Sequence, residues 1–212
     1  SPPAATAIGT QQAGLQLYFL AAKSAGMQLE NPRQTSAFLY PRQYGPVSPA
    51  FSRATVKDWG QGKHIYISGT TSIVGHETLH IGDPLAQLEE TLRNLEALLG
   101  HGDDTLGLPI RSVRELTQLK VYVHDLASLP VIQERLEAYF DSVPFDSTST
   151  PLSASAQGTG SASAQGTGSA SDRSASSLAE RSRSQHCQPA ILYLQGDVCR
   201  AELMVEMEGI YA

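Results

Sequence analysis

The C-terminal segment of the chain, residues 191–212, consists of two apolar stretches around a short polar connection, which predicts two β-strands. Because side chains alternate along a strand, the second strand presents different residues on its two faces. One face carries Leu203, Val205 and Met207, and the other carries Met204, Glu206 and Glu208. A charged, unpaired carboxylate in a half-buried strand costs several kcal/mol. Glu206 is therefore either exposed on a solvated edge strand or has a function.

A regular stripe of leucines predicts one amphipathic helix over residues 83–99. The stripe consists of Leu85, Leu88, Leu92, Leu95 and Leu99. Asp83 is a good N-cap, Pro84 suits the first helical position, and Gly100 suits the position just past the end. We expect the stripe to lie in the hydrophobic core, with Leu88 and Leu92 among the most buried residues.

The rest of the chain alternates strand-like and helical segments. The strand-like segments are residues 15–22, 50–56, 64–68 and 114–124, and a second helix is predicted at residues 129–140. The main order is therefore β-β-α-β-α-β-β. This order predicts an α+β fold with a mixed sheet and two helices on one face.

A low-complexity segment interrupts this order at about residues 145–186. The octapeptide SASAQGTG occurs at residues 153–160 and again at 161–168. Such a sequence has too little apolar surface to offset the entropy lost on folding. We therefore predict a disordered insertion between the second helix and the penultimate strand, which the fold tolerates because loop-closure entropy grows slowly with length.

Composition and charge argue against several classes of partner. The chain has 212 residues and a net charge of −6, and it has no basic patch, so we expect no nucleic-acid partner. No stretch approaches the ~18 apolar residues of a membrane span, and no signal peptide is visible. Cys187 and Cys199 lack the spacing of metal ligands or of a disulfide framework. These features predict a cytoplasmic protein with no membrane partner and no cofactor.

One short motif suggests a metal site. Residues 76–80 match the H-E-x-x-H pattern of zinc proteases, in which both histidines lie on one face of a helix. Here the motif lies in a predicted loop over residues 69–83, and Gly75, Gly82 and Pro84 disfavour a continuous helix. We therefore expect no metal at this position.

Three short segments resemble the RidA/YjgF superfamily. They are GP at residues 45–46 before the first hairpin, SGT at residues 68–70, and VEME at residues 205–208. Together with the order of elements, this resemblance implies a RidA/YjgF-like (chorismate mutase-like) fold.

Three longer segments resemble a narrower family, the chorismatases. They are NPRQTSAFLYPRQYGP at residues 31–46, ISGTTSIVGHE at residues 67–77 and LYLQGDVCRAELMVEMEG at residues 192–209. Chorismatases split chorismate into pyruvate and a cyclohexadiene or hydroxybenzoate, and they have a RidA-like domain after a related N-terminal domain. The resemblance implies that residues 1–39 are the tail of that N-terminal domain and a connector, and that residues 40–212 are the RidA-like domain. It implies either a monomer with its N-terminal half or a RidA-like trimer.

The resemblance assigns the central role to Glu206, which matches the catalytic glutamate of the family. Cleaving the enol ether of chorismate by acid catalysis requires a proton donor at the terminal methylene carbon. A carboxylic acid in an apolar cleft has a raised pKa and can donate that proton. Glu208 lies on the same face but nearer the strand end, and it is the weaker candidate.

The two carboxylates of chorismate need cationic or hydroxyl partners. The candidates are Arg42, Arg53, Arg200, Tyr40 and Tyr44. By resemblance, Cys199 and Thr71 occupy positions that distinguish the chorismatase types. A cysteine at position 199 goes with the branch that forms 3-hydroxybenzoate, which is therefore the favoured product.

Two alternatives remain open. A RidA-like imine or enamine deaminase would use an arginine two residues after the proline that opens the penultimate strand. That proline is Pro189, and Ile191 occupies the arginine position, which counts against a deaminase. The other alternative is a non-catalytic fragment that binds a ligand.

Overall fold

The computed structural model describes residues 2–11, 13–142 and 188–212. In chain order, the strands are β1 (Met27–Leu29), β2 (Ala54–Asp58), β3 (Lys63–Thr71), β4 (Ile73–Val74), β5 (Glu77–Thr78), β6 (Gln118–Val123), β7 (Ala190–Gln195) and β8 (Val205–Tyr211). Helix α1 (Pro84–Leu106) precedes β6, and helix α2 (Leu129–Asp141) follows it.

One mixed sheet organises the molecule, with the strand order β1-β2-β3-β8-β6-β7. Neighbouring strands are antiparallel except β6 and β7, which are parallel. A parallel pair needs a long crossover, and α2 forms part of that connection. Strands β4 and β5 form a separate hairpin between β3 and α1.

The hydrophobic core lies between the helices and one face of the sheet. It includes Leu88, Leu92, Leu95 and Leu99 of α1, Ile132 and Leu136 of α2, and Leu119, Val121, Val205 and Met207 of the sheet. Leu88 is fully buried and Leu92 is 3% exposed, as the leucine stripe predicts, whereas the prediction is wrong for Leu85, which lies in the first turn of α1 and is 39% exposed. The predicted α+β architecture, with two helices on one face of a mixed sheet, is confirmed.

Helix α1 begins where the sequence predicts and ends later. The side chain of Asp83 accepts a hydrogen bond from the Ala86 amide and caps the helix. The predicted end at Gly100 is wrong, because the helix continues to Leu106 and closes at Gly107, which has a φ of 58°. The Lys63 ammonium donates to the carbonyls of Leu106 and Gly107 and so satisfies the helix end.

The predicted strand at residues 15–22 is wrong. This segment forms no regular structure, and Leu15 and Phe19 are 92% and 76% exposed. The edge strand is instead β1, in which Leu29 pairs with Ala54 of β2. An apolar run becomes a strand only where another strand offers its backbone groups. Strand β1 lies within residues 1–39, and it belongs to the same sheet as the rest of the fold.

The first hairpin is longer on one side than predicted. Strand β2 begins at Ala54 instead of residue 50, and β3 runs past the predicted end at residue 68 as far as Thr71. The extension follows from pairing with β8, where Thr71 lies opposite Glu206. The predicted loop at residues 69–83 therefore contains the end of β3 and the β4–β5 hairpin.

The strand predicted at residues 114–124 also begins later, at Gln118. A 3-10 turn, Val113–Glu115, precedes it. The side chains of Ser112 and Glu115 form a capping box that stabilises this turn.

The insertion predicted at residues 145–186 lies outside the described residues. Among the described helices, none is both long and apolar enough to cross a bilayer.

Candidate active site

Glu206 lies on the face of the sheet that points away from the helices. Its strand is flanked by β3 and β6, where Thr71 and Tyr122 are opposite Glu206. Glu206 is only 4% exposed. Burial raises the pKa of its carboxyl to about 7, and the Glu208 carboxylate adds to the shift. A carboxylic acid with this pKa holds a proton that it can donate near neutral pH.

Gly69 leaves the space that the Glu206 carboxylate occupies. The pairing of β3 with β8 shifts register between Ile67 and Thr70, which places a β-bulge at this point. A Cβ atom added to Gly69 would lie 1.8 Å from Oε1 of Glu206. Any larger residue at position 69 would therefore displace the carboxylate.

The N-terminal segment, residues 3–9, passes over the same bulge. The amide of Ala5 donates to Oγ of Ser68 at 2.9 Å, and the amide of Gly69 donates to Oγ1 of Thr6 at 2.8 Å. These two hydrogen bonds hold the segment beside the carboxylate and contribute to its burial.

Cys199 lies in the connection between β7 and β8, within range of the charge of the same carboxylate. The residue as a whole is exposed. Burial of its thiol raises the pKa to about 11, with a further contribution from the Glu206 charge. The thiol is therefore neutral at pH 7 and contributes volume and a weak S–H donor to the site.

Arg200 follows Cys199 and is held in one orientation. Its Nη1 donates to the His76 carbonyl at 2.9 Å and to Oγ1 of Thr78 at 3.0 Å. Its guanidinium lies over the ring of Tyr44, 3.8 Å from the ring centroid. Its Nη2 is buried and donates to no atom of the described part of the chain. This nitrogen is suited to bind a carboxylate.

Tyr44 connects Arg200 to the β4–β5 hairpin. Its hydroxyl lies 3.3 Å from Nδ1 of His76, and its ring packs against Tyr40 at a centroid distance of 5.9 Å. The structure thus brings together four residues around one guanidinium. The sequence predicts Tyr40, Tyr44 and Arg200 as site residues, and it indicates His76 only as a metal ligand.

Arg53 and Arg42 differ from Arg200. Arg53 is buried, and its Nη2 donates to the Thr35 carbonyl at 2.8 Å and to the Tyr40 hydroxyl at 2.7 Å. It therefore braces the chain around Tyr40, and its Nε, like Nη2 of Arg200, is buried without a hydrogen-bond partner in the described part of the chain. Arg42 is exposed in the 3-10 turn Arg42–Tyr44, and the structure does not bring it into the cluster.

Glu208 forms an ion pair with Lys120. It lies opposite Lys120 in the β6–β8 pairing and accepts a hydrogen bond from its ammonium. The same ammonium donates to the Tyr18 hydroxyl at 2.8 Å. Because this carboxylate is already held by Lys120, Glu206 is the better candidate of the two.

The H-E-x-x-H motif does not form a helix. Glu77 and Thr78 form strand β5, His76 contacts Tyr44, and Nε2 of His80 lies 3.4 Å from Oε2 of Glu90. The two imidazoles therefore have different partners. Within the described residues, no group of histidine, cysteine and carboxylate side chains is suited to hold a metal ion.

The sequence interpretation missed a set of buried polar residues on α1. This polar stripe consists of Gln87, Glu90, Thr91 and Asn94. These residues recur at helical spacing on the face of α1 next to the leucine stripe. That pattern is the sequence signal that could have identified the polar stripe. The Asn94 amide donates to the carbonyls of Thr71 and Ile73 at 2.9 and 2.8 Å. The polar stripe therefore faces the segments that carry the candidate site.

Comparison with known sequences identifies relatives of one kind. A 3-hydroxybenzoate synthase from Streptomyces hygroscopicus is 32% identical over 215 residues, which cover 98% of this chain and 50% of that protein. A chorismatase from Streptomyces rapamycinicus is 37% identical over 141 residues, or 62% of this chain and 41% of that protein. No protein-family model matches the chain.

Comparison with solved structures agrees with the comparison of sequences. A chorismatase crystal structure has a TM-score of 0.62 and 25% identity, covering 89% of this chain and 44% of that one. The yeast protein YEO7 has a TM-score of 0.52 and 12% identity over 88% of this chain and 97% of that one, which shows the fold alone. The chain spans about half the length of the curated relatives it matches, and by sequence and structure it belongs to the chorismatase family.

Proposed function

We propose that this chain carries the catalytic acid and a substrate-binding arginine of a site that cleaves chorismate and releases pyruvate. The observation that carries the proposal is the buried Glu206 carboxyl, whose pKa is raised to about 7. Membership of the chorismatase family supports chorismate as the substrate.

The first step is the transfer of the Glu206 proton to the terminal methylene carbon of the enolpyruvyl group. Protonation turns this carbon into a methyl group and leaves an oxocarbenium-like centre on the adjacent carbon. If water adds there, the ether bond breaks to give pyruvate and a dihydroxycyclohexadiene carboxylate. If the ring hydroxyl of the substrate itself traps the centre, a cyclic ketal forms. Loss of a ring proton with cleavage of one ring C–O bond then makes the ring aromatic, and collapse of the resulting hemiketal gives pyruvate and 3-hydroxybenzoate, with no net uptake of water.

Arg200 is the proposed partner of a substrate carboxylate. Its buried Nη2 supplies an N–H donor, while Nη1 is held by His76 and Thr78. The ring of Tyr44 packs on the guanidinium and fixes its plane, and the Tyr44 hydroxyl is a second polar group of the same cluster. A guanidinium that is already oriented loses less entropy when it binds a carboxylate.

We propose 3-hydroxybenzoate as the main aromatic product. Two observations support this choice: the relative from Streptomyces hygroscopicus is named 3-hydroxybenzoate synthase, and the thiol of Cys199 lies within range of the Glu206 charge. The neutral thiol lines the space where the intermediate forms and favours capture by the substrate's own oxygen over capture by water. Thr71, opposite Glu206, lies on the same face.

The test is incubation of the full chain with chorismate, followed by coupled measurement of pyruvate and chromatography of the aromatic products. Pyruvate release that disappears in Glu206→Gln supports the proposal. Binding of chorismate without pyruvate release identifies a ligand-binding fragment instead. Hydrolysis of small 2-iminoacids without chorismate cleavage would favour the deaminase, although Ile191 packs against the core where a deaminase would need arginine.

A further inference from the structure

A single buried glutamine bonds to both segments that carry the candidate site. Gln87 of α1 is completely buried. Its Nε2 donates to the carbonyl of His80 at 3.2 Å and to that of Glu202 at 2.9 Å. Its Oε1 accepts from the amide of Met204 at 2.7 Å. Both N–H donors and the oxygen of the side chain are thus engaged with backbone groups.

These backbone groups belong to two segments. The hairpin segment, residues 72–80, carries His76 and Thr78. The connecting segment, residues 196–204, carries Cys199 and Arg200. Two side-chain links join them directly: Arg200 donates to the His76 carbonyl and to Thr78, and the Thr78 hydroxyl donates to Oε1 of Glu202 at 2.9 Å. Gln87 joins the backbones of the two segments in addition, from the side of the helix.

The links through Arg200 and through Gln87 have different consequences. Arg200 is itself part of the binding site, so its bonds to the hairpin segment can rearrange when a substrate carboxylate arrives. Gln87 lies in the first turn of a long helix that the core holds in place. Its side-chain amide therefore attaches the backbone of both segments to the rigid helix α1. A side chain that is fully hydrogen-bonded in this way has one allowed orientation.

We propose that Gln87 is a positioning residue that sets the connecting segment against the hairpin segment and thereby places Cys199 and Arg200 relative to Glu206. It acts through the backbone of His80, Glu202 and Met204 and touches no reacting atom. The kinetic consequence rests on the proposed cleavage of chorismate. The structural consequence, two segments that loosen together, does not depend on it.

The test compares Gln87→Met with Leu95→Ala in the full chain. Methionine keeps the length and approximate volume of glutamine and removes all three hydrogen bonds. Leu95 lies on the same helix, is fully buried in the core and touches neither segment through a hydrogen bond, so Leu95→Ala lowers stability without cutting the link. Hydrogen–deuterium exchange by mass spectrometry reports the opening of each segment.

In Gln87→Met, we expect the amides of residues 72–80 and 196–204 to exchange roughly tenfold faster, while the sheet retains its protection. In Leu95→Ala, any acceleration should be spread over the whole chain. Wild-type protection of either segment in Gln87→Met would overturn the proposal. If the methionine variant does not fold, Gln87→Glu serves instead. It keeps the acceptor for Met204 and loses both donations, so wild-type protection at residues 72–80 would again overturn the proposal.

Steady-state kinetics with chorismate then separates positioning from stability. Gln87→Met should lower kcat/KM by roughly 10- to 100-fold, mostly through KM, and should shift the ratio of 3-hydroxybenzoate to diene. Leu95→Ala should keep both values at temperatures where it is folded. Loosened segments with an unchanged KM and product ratio would overturn the positioning role. If the wild-type chain releases no pyruvate, the proposed function fails, and hydrogen exchange alone decides the role of Gln87.

Discussion

The carboxylate of Glu206 occupies the space where a side chain at Gly69 would begin. A Cβ atom at position 69 would come within 1.8 Å of Oε1 and 2.8 Å of Cδ of Glu206. Because Gly69 lies in a β-bulge opposite β8, the backbone itself forms one wall of the candidate site. The position of the proposed acid therefore depends on the absence of one methyl group.

Gly69→Ala should displace the carboxylate and reduce pyruvate release from chorismate by about 100-fold. Gly62 provides the matched control, because a Cβ atom there meets no atom within 4 Å. Gly62→Ala should keep full activity. Equal activity of Gly69→Ala and wild type, with circular dichroism showing both folded, would mean that the carboxylate does not need this position.

Glu206→Gln should reduce pyruvate release by ~10²–10⁴-fold, because the amide keeps the shape of the side chain and removes the proton donor. The fold should persist, since a neutral amide is tolerated at a site where burial already favours the neutral acid. Glu134→Gln, on the exposed side of α2, controls for the loss of one negative charge. Full turnover by Glu206→Gln would exclude Glu206 as the acid.

Cys199→Ala should retain pyruvate formation and shift the second product from 3-hydroxybenzoate toward the hydrolytic diene. The reason is that, in the proposed mechanism, the neutral thiol fills space beside the intermediate, and the smaller alanine would admit water there. Chromatography of the products measures the ratio. Cys187→Ala, at the chain's other cysteine, is the control. An unchanged product ratio in Cys199→Ala would show that Cys199 does not determine which product forms.

The part of the site that could be predicted from the sequence is local. Alternation along β8 identifies Glu206 as a carboxylate in an apolar strand, and the same pattern correctly assigns Met207 to the core. The contributions of Gly69 and Gln87 could not be predicted in this way. The first depends on the register of β3 against β8, and the second depends on which segments fold back over α1. Both are properties of tertiary pairing.

In the fold, too, features set by neighbouring residues could be predicted from the sequence, and features set by tertiary packing could not. The start of α1 was predicted because Asp83 and Pro84 act on the adjacent turn. The end of α1 was not predicted, because Gly100 resembles a residue that ends a helix, whereas the helix continues beyond it. Gly102, one turn before the true end, allows close packing: a Cβ there would lie 2.5 Å from Leu108 and 2.7 Å from Leu29. A glycine retained for close packing and a glycine that ends a helix cannot be distinguished from local sequence.

Leu92→Ala should lower the free energy of unfolding by ~2–5 kcal/mol, because it leaves a cavity between α1 and the sheet. Leu85 belongs to the same stripe and is 39% exposed, so Leu85→Ala should cost distinctly less. Urea denaturation followed by circular dichroism measures both values. Equal losses in the two variants would contradict the assignment of Leu92 to the core.

The raised pKa of Glu206 also predicts how stability depends on pH. The carboxyl has an ordinary pKa of 4.5 and a pKa of about 7 in the folded chain. Below pH 4.5 the carboxyl is protonated in both states and costs nothing. As the pH rises from 4.5 to 7, the unfolded chain loses the proton while the folded chain keeps it, so stability falls. Above pH 7 both states are charged, and the full cost of about 3 kcal/mol is present.

Glu206→Gln removes this titration. The variant should therefore become more stable relative to wild type by about 2 to 3 kcal/mol between pH 5 and pH 8, as measured by urea unfolding at several pH values. Glu134→Gln, at an exposed position on α2, is the matched control for the change of charge. In the same pH range, kcat/KM of the wild type should fall about tenfold per pH unit above pH 7, as the acid loses its proton. Parallel stability curves for Glu206→Gln and wild type would show that the carboxyl titrates at its ordinary pKa, which would leave no proton on Glu206 to donate at neutral pH.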